Sequence, residues 1–380
     1  MMSKLVSPQK NDKFFENVAR LVEQARSFVG RTIDLTMCAT NFEVGRMIVE
    51  KEQDGESRAE YGSKLLAGLS DYLGTQFGKG FSVANLRNAR QFYLVYSHEV
   101  KQSLTAGPEK QKHQSVISVF EGRNVDPIHQ SVISESYPFR LSWTHYLILM
   151  RIRNADERRF YEIEADNQQW SVRQLQRQYS SSLYERLALS REKGDVMRLA
   201  NEGQTLTRST DMLKNPLVLE FLGIEEKAAY SELDLEHAII DKLSSFLLEL
   251  GKGFLFEARQ KRFTYDEDNF WVDLVFYNRL LQCYVLIDLK TEKLKHQDLG
   301  QMQMYVNYFD RFIKKDFEKP TVGILLCKEK NDSVVKLTLP ENSNIHASEY
   351  SLYLPDKALL QRKLAQWVEE YEETHGGDEA

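Results

Sequence analysis

Asp273, Asp288 and Lys290 are the residues whose types and spacing could do chemistry. Asp288 ends the apolar run "CYVLID", Lys290 follows two positions later, and Asp273 interrupts the preceding run "FWVDLVFYN". Charges at the rim of a core are costly unless they are paired or bind a metal. Two carboxylates, a backbone carbonyl and water make a set of hard oxygen ligands suited to Mg2+. A cation so held lowers the pKa of bound water and stabilises charge on a phosphate. A lysine beside it can hold the attacking water and offset the phosphate charge. The chemistry that suits these residues is phosphodiester hydrolysis. Spacing alone does not single them out, since Asp/Glu-x-Lys also occurs at Glu99–Lys101 and Glu225–Lys227. The third copy stands apart because it closes an apolar run behind a second run that carries Asp273.

The elements that must position these residues follow from the local pattern. "GFLFEARQKRFTY", "FWVDLVFYN" and "CYVLIDLK" read as three strands in close succession, separated by the turn-rich "DEDN" at 266–269 and by "NRLLQ". Side chains alternate with period two, so Asp288 and Lys290 share one face of the third strand. A two-residue turn at Asn278-Arg279 would leave Asp273 and Asp288 on the same face but roughly 13 Å apart along the strands. A loop widened to 278–283 would bring them directly opposite without changing the face. The amphipathic "DLEHAIIDKLSSFLLELG" precedes the strands as a helix ended by Gly251; "HQDLGQMQMYVNYFDRFI" and "TVGILLC" follow as a helix and a strand. The order predicts an α/β domain with a mixed sheet, antiparallel hairpins first and then a crossover helix feeding a further strand.

The first half reads as helical, with apolar spacing of three and four over about 13–28, 31–52 and 58–77. Gly78 and Gly80 break the pattern, Ser82 is a good N-cap, and a further helix starts at Val83 with Val83, Leu86, Tyr93 and Leu94 inward. Asn85, Arg87, Asn88 and Gln91 lie outward. The pattern resembles a helix-turn-helix, and it equally fits two ordinary core helices with a solvated face. Residues 101–140 form an irregular insertion that holds the string "HQSVIS" twice, at 113–118 and 129–134. The expected division is a helical, DNA-binding domain over 1–190, a polar linker over 191–214 and a mixed-sheet domain over 215–380.

Composition sets outer bounds. The 380 residues suffice for more than one domain, and 42% hydrophobic with 28% charged content fits a globular chain. No stretch reaches the roughly 18 apolar residues that cross a bilayer, and the N-terminus has no apolar signal core, so a cytoplasmic protein with no membrane partner is expected. Cys38, Cys283 and Cys327 are far apart, which predicts reduced core residues, and no spacing suggests a zinc site. The net charge of −6 is uneven: residues 1–190 hold 25 basic and 22 acidic residues, and the remainder 25 and 34. The basic balance lies in the helical half, while the acidic half suits a cation site.

The strings "GKGFLFEARQKRF", "FWVDLVFYNRLLQCYVLIDLKTEKLKHQDLGQMQMYVNYFD" and "GILLCKEKND" resemble the YhcG-type family within the PD-(D/E)xK nuclease superfamily. "EYGSKLLAGLSDYLGTQFGKGFSVANLRNARQFY" and "LSWTHYLILMRI" are similar to that family's N-terminal region. The resemblance spans nearly the whole chain outside 101–140. It implies a restriction-endonuclease-like core behind a helical N-terminal domain that binds nucleic acid, DNA foremost. Carried over, Asp273 and Asp288 would be metal-binding acids, Lys290 the catalytic lysine and Glu236 the helix acid. Gln301 matches the family's glutamine, with Tyr305 one turn on. The implied function is a Mg2+-dependent endonuclease, with Mn2+ as the other candidate metal; the alternative is an idle nuclease fold that serves binding or assembly. A homo-oligomer stays open.

Each residue also has a plain reading. Asp288 and Lys290 could be a partly exposed ion pair, Asp273 a group satisfying a backbone amide, and Glu236 a solvated helix residue. Gln301 and Tyr305 could simply pack or cap. Arg259 could contact phosphate beside Lys261 and Arg262, or these could be solvent charges of a strand edge. Arg87 and Asn88 are the nucleic-acid candidates of the helical half.

Overall fold

The computed structural model describes residues 9–54, 59–105, 137–190, 196–214, 216–225, 229–340 and 343–375. The repeated "HQSVIS" therefore lies outside the described residues. By internal contacts the chain divides into two compact units, Met1–Asn154 and Ala155–Ala380.

The N-terminal unit is helical: α1 (Gln9–Asp54), α2 (Ala59–Phe77), α3 (Val83–Thr105) and α4 (Trp143–Leu149). The two helices expected before residue 52 are one, because Gly30 costs a helix only about 1 kcal/mol and is not a stop by itself. The face of α3 turned inward is Leu86, Ala89, Phe92, Tyr96 and Val100; Leu94, expected there, is exposed. Phe42 of α1 packs against Phe92, with ring centroids 6.0 Å apart, and Phe139 and Tyr146 complete the aromatic cluster. The helices cross closely at Gly45, where an added Cβ would stand 2.1 Å from the Ala89 carbonyl oxygen. Gly78 and Gly80 take positive φ in the turn before α3, and Ser82 accepts the Asn85 N–H as its cap.

The C-terminal unit begins with α5 (Ala155–Asn167), α6 (Val172–Ser180), α7 (Leu183–Leu189) and α8 (Val196–Glu202). The contact division thus falls before the boundary expected at 190, with α5 to α7 in the second unit. Residues 196–214 are not an extended linker: α8 buries Leu199 and Ala200, and Gln204, Asp211 and Lys214 are buried beyond it. Next come β1 (Leu217–Val218), α9 (Glu232–Asp241), α10 (Leu243–Leu250), β2 (Phe254–Tyr265), β3 (Asp268–Asn278) and β4 (Cys283–Lys293). Then follow α11 (His296–Tyr308), β5 (Val322–Glu329), α12 (Asp332–Thr338), β6 (Ile345–Ser351) and α13 (Lys357–His375).

The six strands form one sheet in the order β1-β6-β5-β4-β3-β2. β2, β3 and β4 are antiparallel, while β4, β5, β6 and β1 run parallel. One face carries Leu274, Phe276, Val285, Ile287 and Leu289 against Leu235, Ile239 and Phe246 of α9 and α10. The other carries Val275, Leu286 and Leu325 against Leu299, Met302, Tyr305 and Val306 of α11. β4 is therefore apolar on both faces, as a central strand must be, and Asp288 and Lys290 fall where that apolar run stops. This is the mixed-sheet, restriction-endonuclease-like architecture expected behind a helical N-terminal region. Among the described residues no helix is long and apolar enough to cross a membrane. The three cysteines are buried and unbridged.

Candidate active site

The register of the β3–β4 hairpin is set by its loop. Asn278 pairs with Cys283, and its buried side-chain oxygen accepts the N–H groups of Leu280 and Leu281, both at 3.1 Å. That side chain stabilises the wider loop over the two-residue turn, because it satisfies two loop amides, of which that of Leu281 is buried and would otherwise be unpaired. The ladder runs from Asn278↔Cys283 to Leu274↔Ile287. One step further the same register places Asp273 opposite Asp288. There the backbone ladder gives way, and Asp273 Oδ2 accepts the Leu289 N–H at 2.8 Å.

On the other side of Asp273 stands Gln260, a residue the sequence reading passed over. The β2–β3 pairing skips from Arg259↔Leu274 to Lys261↔Val272, and between them Gln260 takes φ 45°. This left-handed conformation is unusual for a residue with a side chain. The kink lets Gln260 Nε2 donate to Asp273 Oδ1, at 3.0 Å, and to Glu236 Oε2 of α9. A signal was present: a two-residue turn at Asp266-Glu267, counted back along both strands, puts Gln260 across from Asp273.

Glu236 is 1% exposed, so it is not a solvated helix residue. Its Oε2 is met by Gln260, while Oε1 has no hydrogen-bond donor and lies 3.4 Å from Arg259 Nε. Arg259, exposed, also lies 3.2 Å from His237 Nε2 through Nη2. Asp288 is 3% exposed. Burial, reinforced by the neighbouring Asp273 carboxylate, pushes its pKa up to about 7 against the pull of Lys290. Lys290 Nζ lies 2.8 Å from Asp288 Oδ2 and 3.5 Å from Glu232 Oε2. Burial disfavours the charged lysine, but Asp288 outweighs it and raises the pKa, so Lys290 is protonated at neutral pH. Asp288 Oδ2 receives no well-aligned hydrogen bond even so.

Gln301 opens onto solvent from α11 and donates to the hydroxyl of Tyr305 one turn on. Tyr305 is itself buried, with its ring edge-on to Phe263 at 5.6 Å. Burial raises its pKa, the Gln301 bond works the other way, and the charges of Asp288 and Asp273 add to the rise. A buried ring offers nucleic acid no surface, so any role of Tyr305 runs through Gln301. The structure brings Asp273, Asp288, Lys290, Glu236, Gln301 and Tyr305 to one end of the central strands, with Arg259 beside Glu236. Arg87 and Asn88 belong instead to α3 of the N-terminal unit, Arg87 exposed and Asn88 half-buried.

Among the described residues no group of three His, Cys, Asp or Glu side chains converges tightly enough to hold a metal ion as it stands. The donor set nonetheless fits a hard divalent cation. It consists of carboxylate oxygens, and two of them, Asp288 Oδ2 and Glu236 Oε1, are buried with a cationic side chain near by but no well-aligned hydrogen bond.

Residues 210–365 match the family described as the YhcG PDDEXK nuclease domain, and residues 17–186 match the DUF1016 N-terminal domain. Over 355 residues the chain is 38% identical to a protein of Escherichia coli (strain K12) named "Putative nuclease YhcG", covering 92% of each chain. The chain belongs to the YhcG family. As a member of that family it carries a nuclease domain of the PD-(D/E)xK type. Two solved structures are also similar in part: a repair endonuclease from Pyrococcus abyssi, at 19% identity and TM-score 0.23, and an EndoMS–dsDNA2 complex, at 15% and 0.25. Each match covers 35% of this chain and 50% of the other.

Proposed function

We propose that this YhcG-family protein is a divalent-metal-dependent endonuclease that hydrolyses phosphodiester bonds of nucleic acid, DNA foremost. The observation that carries the reading is the convergence of buried carboxylates, Asp288 and Glu236, beside Asp273, with Asp288 Oδ2 and Glu236 Oε1 met only by the ion pairs to Lys290 and Arg259 and by no well-aligned hydrogen bond. Unsatisfied buried acids cost stability, and a pKa displaced upward by burial and a like charge is what functional carboxylates show.

Asp273 and Asp288 would hold Mg2+ or Mn2+, with Glu236 reached from α9. The cation would supply acidification of water and neutralisation of charge on the phosphate. The chain's own residues do the rest. The Leu289 N–H and the Gln260 amide hold both oxygens of Asp273, so that carboxylate is oriented before any ligand arrives. Lys290, kept protonated by Asp288, presents its ammonium toward the reacting phosphate, stabilising charge that grows in the transition state. Gln301, exposed and braced by Tyr305, offers its amide to a phosphate oxygen or to the attacking water. Arg259 lies at the rim beside Glu236, where it can meet the phosphate backbone. In the N-terminal unit, exposed Arg87 and its neighbour Asn88 are the proposed contacts to nucleic acid.

The test is a cleavage assay over plasmid, linear duplex, branched DNA and RNA, with Mg2+, Mn2+ and chelator. Cleavage that needs the metal and disappears with chelator and in Asp288→Asn is the expected result. Metal-independent binding with no cleavage of any substrate would instead identify an idle nuclease fold serving binding or assembly.

A further inference from the structure

A cleft of about 300 Å³ opens along α11, the helix that also carries Gln301, and nothing in the reaction outlined above uses it. Its walls come from the end of β2 and the outer face of α11. Phe263 stacks on Tyr308 with centroids 4.0 Å apart and planes 20° from parallel. Tyr265 and Phe312 close the rim, 6.1 Å apart, and both are more than half exposed, at 55% and 59%. Gln303 and Asn307, one turn apart and hydrogen-bonded at 3.2 Å, line the same wall. Arg311 completes it, exposed and with no ion-pair partner among the described residues.

Large rings left in solvent around a cleft mark a binding surface rather than a core. The mixture here is specific. Flat rings and a free guanidinium provide stacking faces, and the two amides provide donors and acceptors for a planar polar ligand. The turn Asp266-Glu267-Asp268, which follows Tyr265 in the chain, is acidic and exposed, so it disfavours a phosphodiester backbone on that side and favours an uncharged ring. The cleft also touches the residues of the site through its floor: Phe263 packs edge-on against Tyr305, which accepts the Gln301 amide.

We infer that this cleft binds one unstacked nucleobase next to the scissile phosphate. The inference rests on the nuclease reading of the carboxylates and extends it to substrate structure. An intact duplex keeps its bases stacked inside, whereas a bulge, flap, mismatch or single strand can supply a free base at low cost. The substrate class it points to is nucleic acid with an unpaired base.

The experiment compares full-length wild type with Phe312→Ala, Tyr265→Ala and Arg311→Ala, all surface changes. Binding is measured in chelator, so that no cleavage intervenes, on a duplex carrying one bulged 2-aminopurine and on the same duplex fully paired. Wild type should prefer the bulged duplex by roughly tenfold, with a change in 2-aminopurine emission. The variants should lose that preference while binding the paired duplex as wild type does. Equal affinity of wild type for both duplexes, or variants that keep the preference, would overturn the inference. Cleavage of each duplex by wild type in Mg2+ is scored separately. Cleavage without the preference removes the base cleft and leaves the nuclease, while the preference without cleavage does the reverse.

Discussion

Glu249 and Asp288 are both carboxylates buried in the C-terminal unit, and their surroundings treat them in opposite ways. Glu249 Oε1 accepts from Arg186 at 2.5 Å and from the Val218 N–H at 3.0 Å, while Oε2 accepts from Arg177 at 3.1 Å. Arg186, itself fully buried, spends its other donors on Ser181 and the Pro216 carbonyl. Burial alone would raise the Glu249 pKa, but Arg186, Lys214 and Arg177 outweigh it and hold it near 2. Lys214 donates to the Glu249 carbonyl, and burial pushes its pKa down to about 8. This cluster joins α6, α7, β1 and α10 with every charge answered. At the candidate site the count runs the other way: four carboxylates, Asp273, Asp288, Glu236 and Glu232, stand around Lys290 and Arg259, two buried oxygens have no well-aligned hydrogen bond, and one pKa rises toward neutrality. A saturated ion cluster specifies packing, whereas an acid-rich one is left to be completed by something that binds.

That contrast can be broken by exchanging the roles of its two acids. Glu249→Ala leaves the Arg186 guanidinium fully buried without its anion, while Arg177 keeps Glu220 at 3.1 Å, and should cost about 3–5 kcal/mol in urea unfolding. Asp288→Asn, measured the same way at pH 8, should not destabilise the metal-free protein. The sign follows from the pKa values. A carboxyl raised from 3.8 to about 7 in the fold favours the protonated form, so its ionisation erodes stability between those pH values. A carboxyl lowered from 4.5 to about 2 contributes stability that is full above 4.5 and lost as pH falls toward 2. If both variants unfold equally easily, the distinction between the two clusters fails.

Lys290→Met sharpens the comparison from the catalytic side. If the lysine stabilises charge on the attacked phosphate, the folded variant should still bind metal and nucleic acid but cleave at least about a hundredfold slower. A wild-type rate would return Lys290 to a plain ion pair with Asp288. The next effect is one of pH. A protonated Asp288 cannot ligate a cation, so Mn2+ affinity measured by calorimetry should rise up to about tenfold per pH unit until pH 7 and level off above. A flat profile between pH 5 and 7 would remove Asp288 from the ligand set. The smallest expected effect lies in the N-terminal unit. Arg87→Ala should lower the salt dependence of DNA binding by about one counterion, while Arg90→Ala should act less, since Arg90 is paired with Glu52 at 2.7 Å. An unchanged slope in Arg87→Ala would mean that α3 does not touch phosphate.

Local pattern was enough for some of this molecule. Apolar alternation marks β2, β3 and β4 within a few residues of their observed ends, and the period of two puts Asp273 and Asp288 on one face for either loop width considered. The Gly-containing turn and Ser82 mark the start of α3, and the clear switch from strand to helix at residue 296 marks α11. These features depend on neighbours within a few residues, which a linear sequence displays directly.

Other features depended on partners far along the chain. Which of two loops closes the β3–β4 hairpin was decided by the buried Asn278 side chain, and only that decision brings Asp273 opposite Asp288. Glu236 reads as an ordinary helix acid until α9 packs on the sheet and excludes water from it. Gln260 matters because a left-handed kink aims it between two acids from different elements. β6 and β1 escaped notice because short strands gain their stability from parallel neighbours distant in sequence. The sequence by itself determined which residues could do chemistry and which face they would share. The tertiary structure decided their register, their burial and therefore their charge, because desolvation and pairing are properties of the assembled surroundings and not of any one segment.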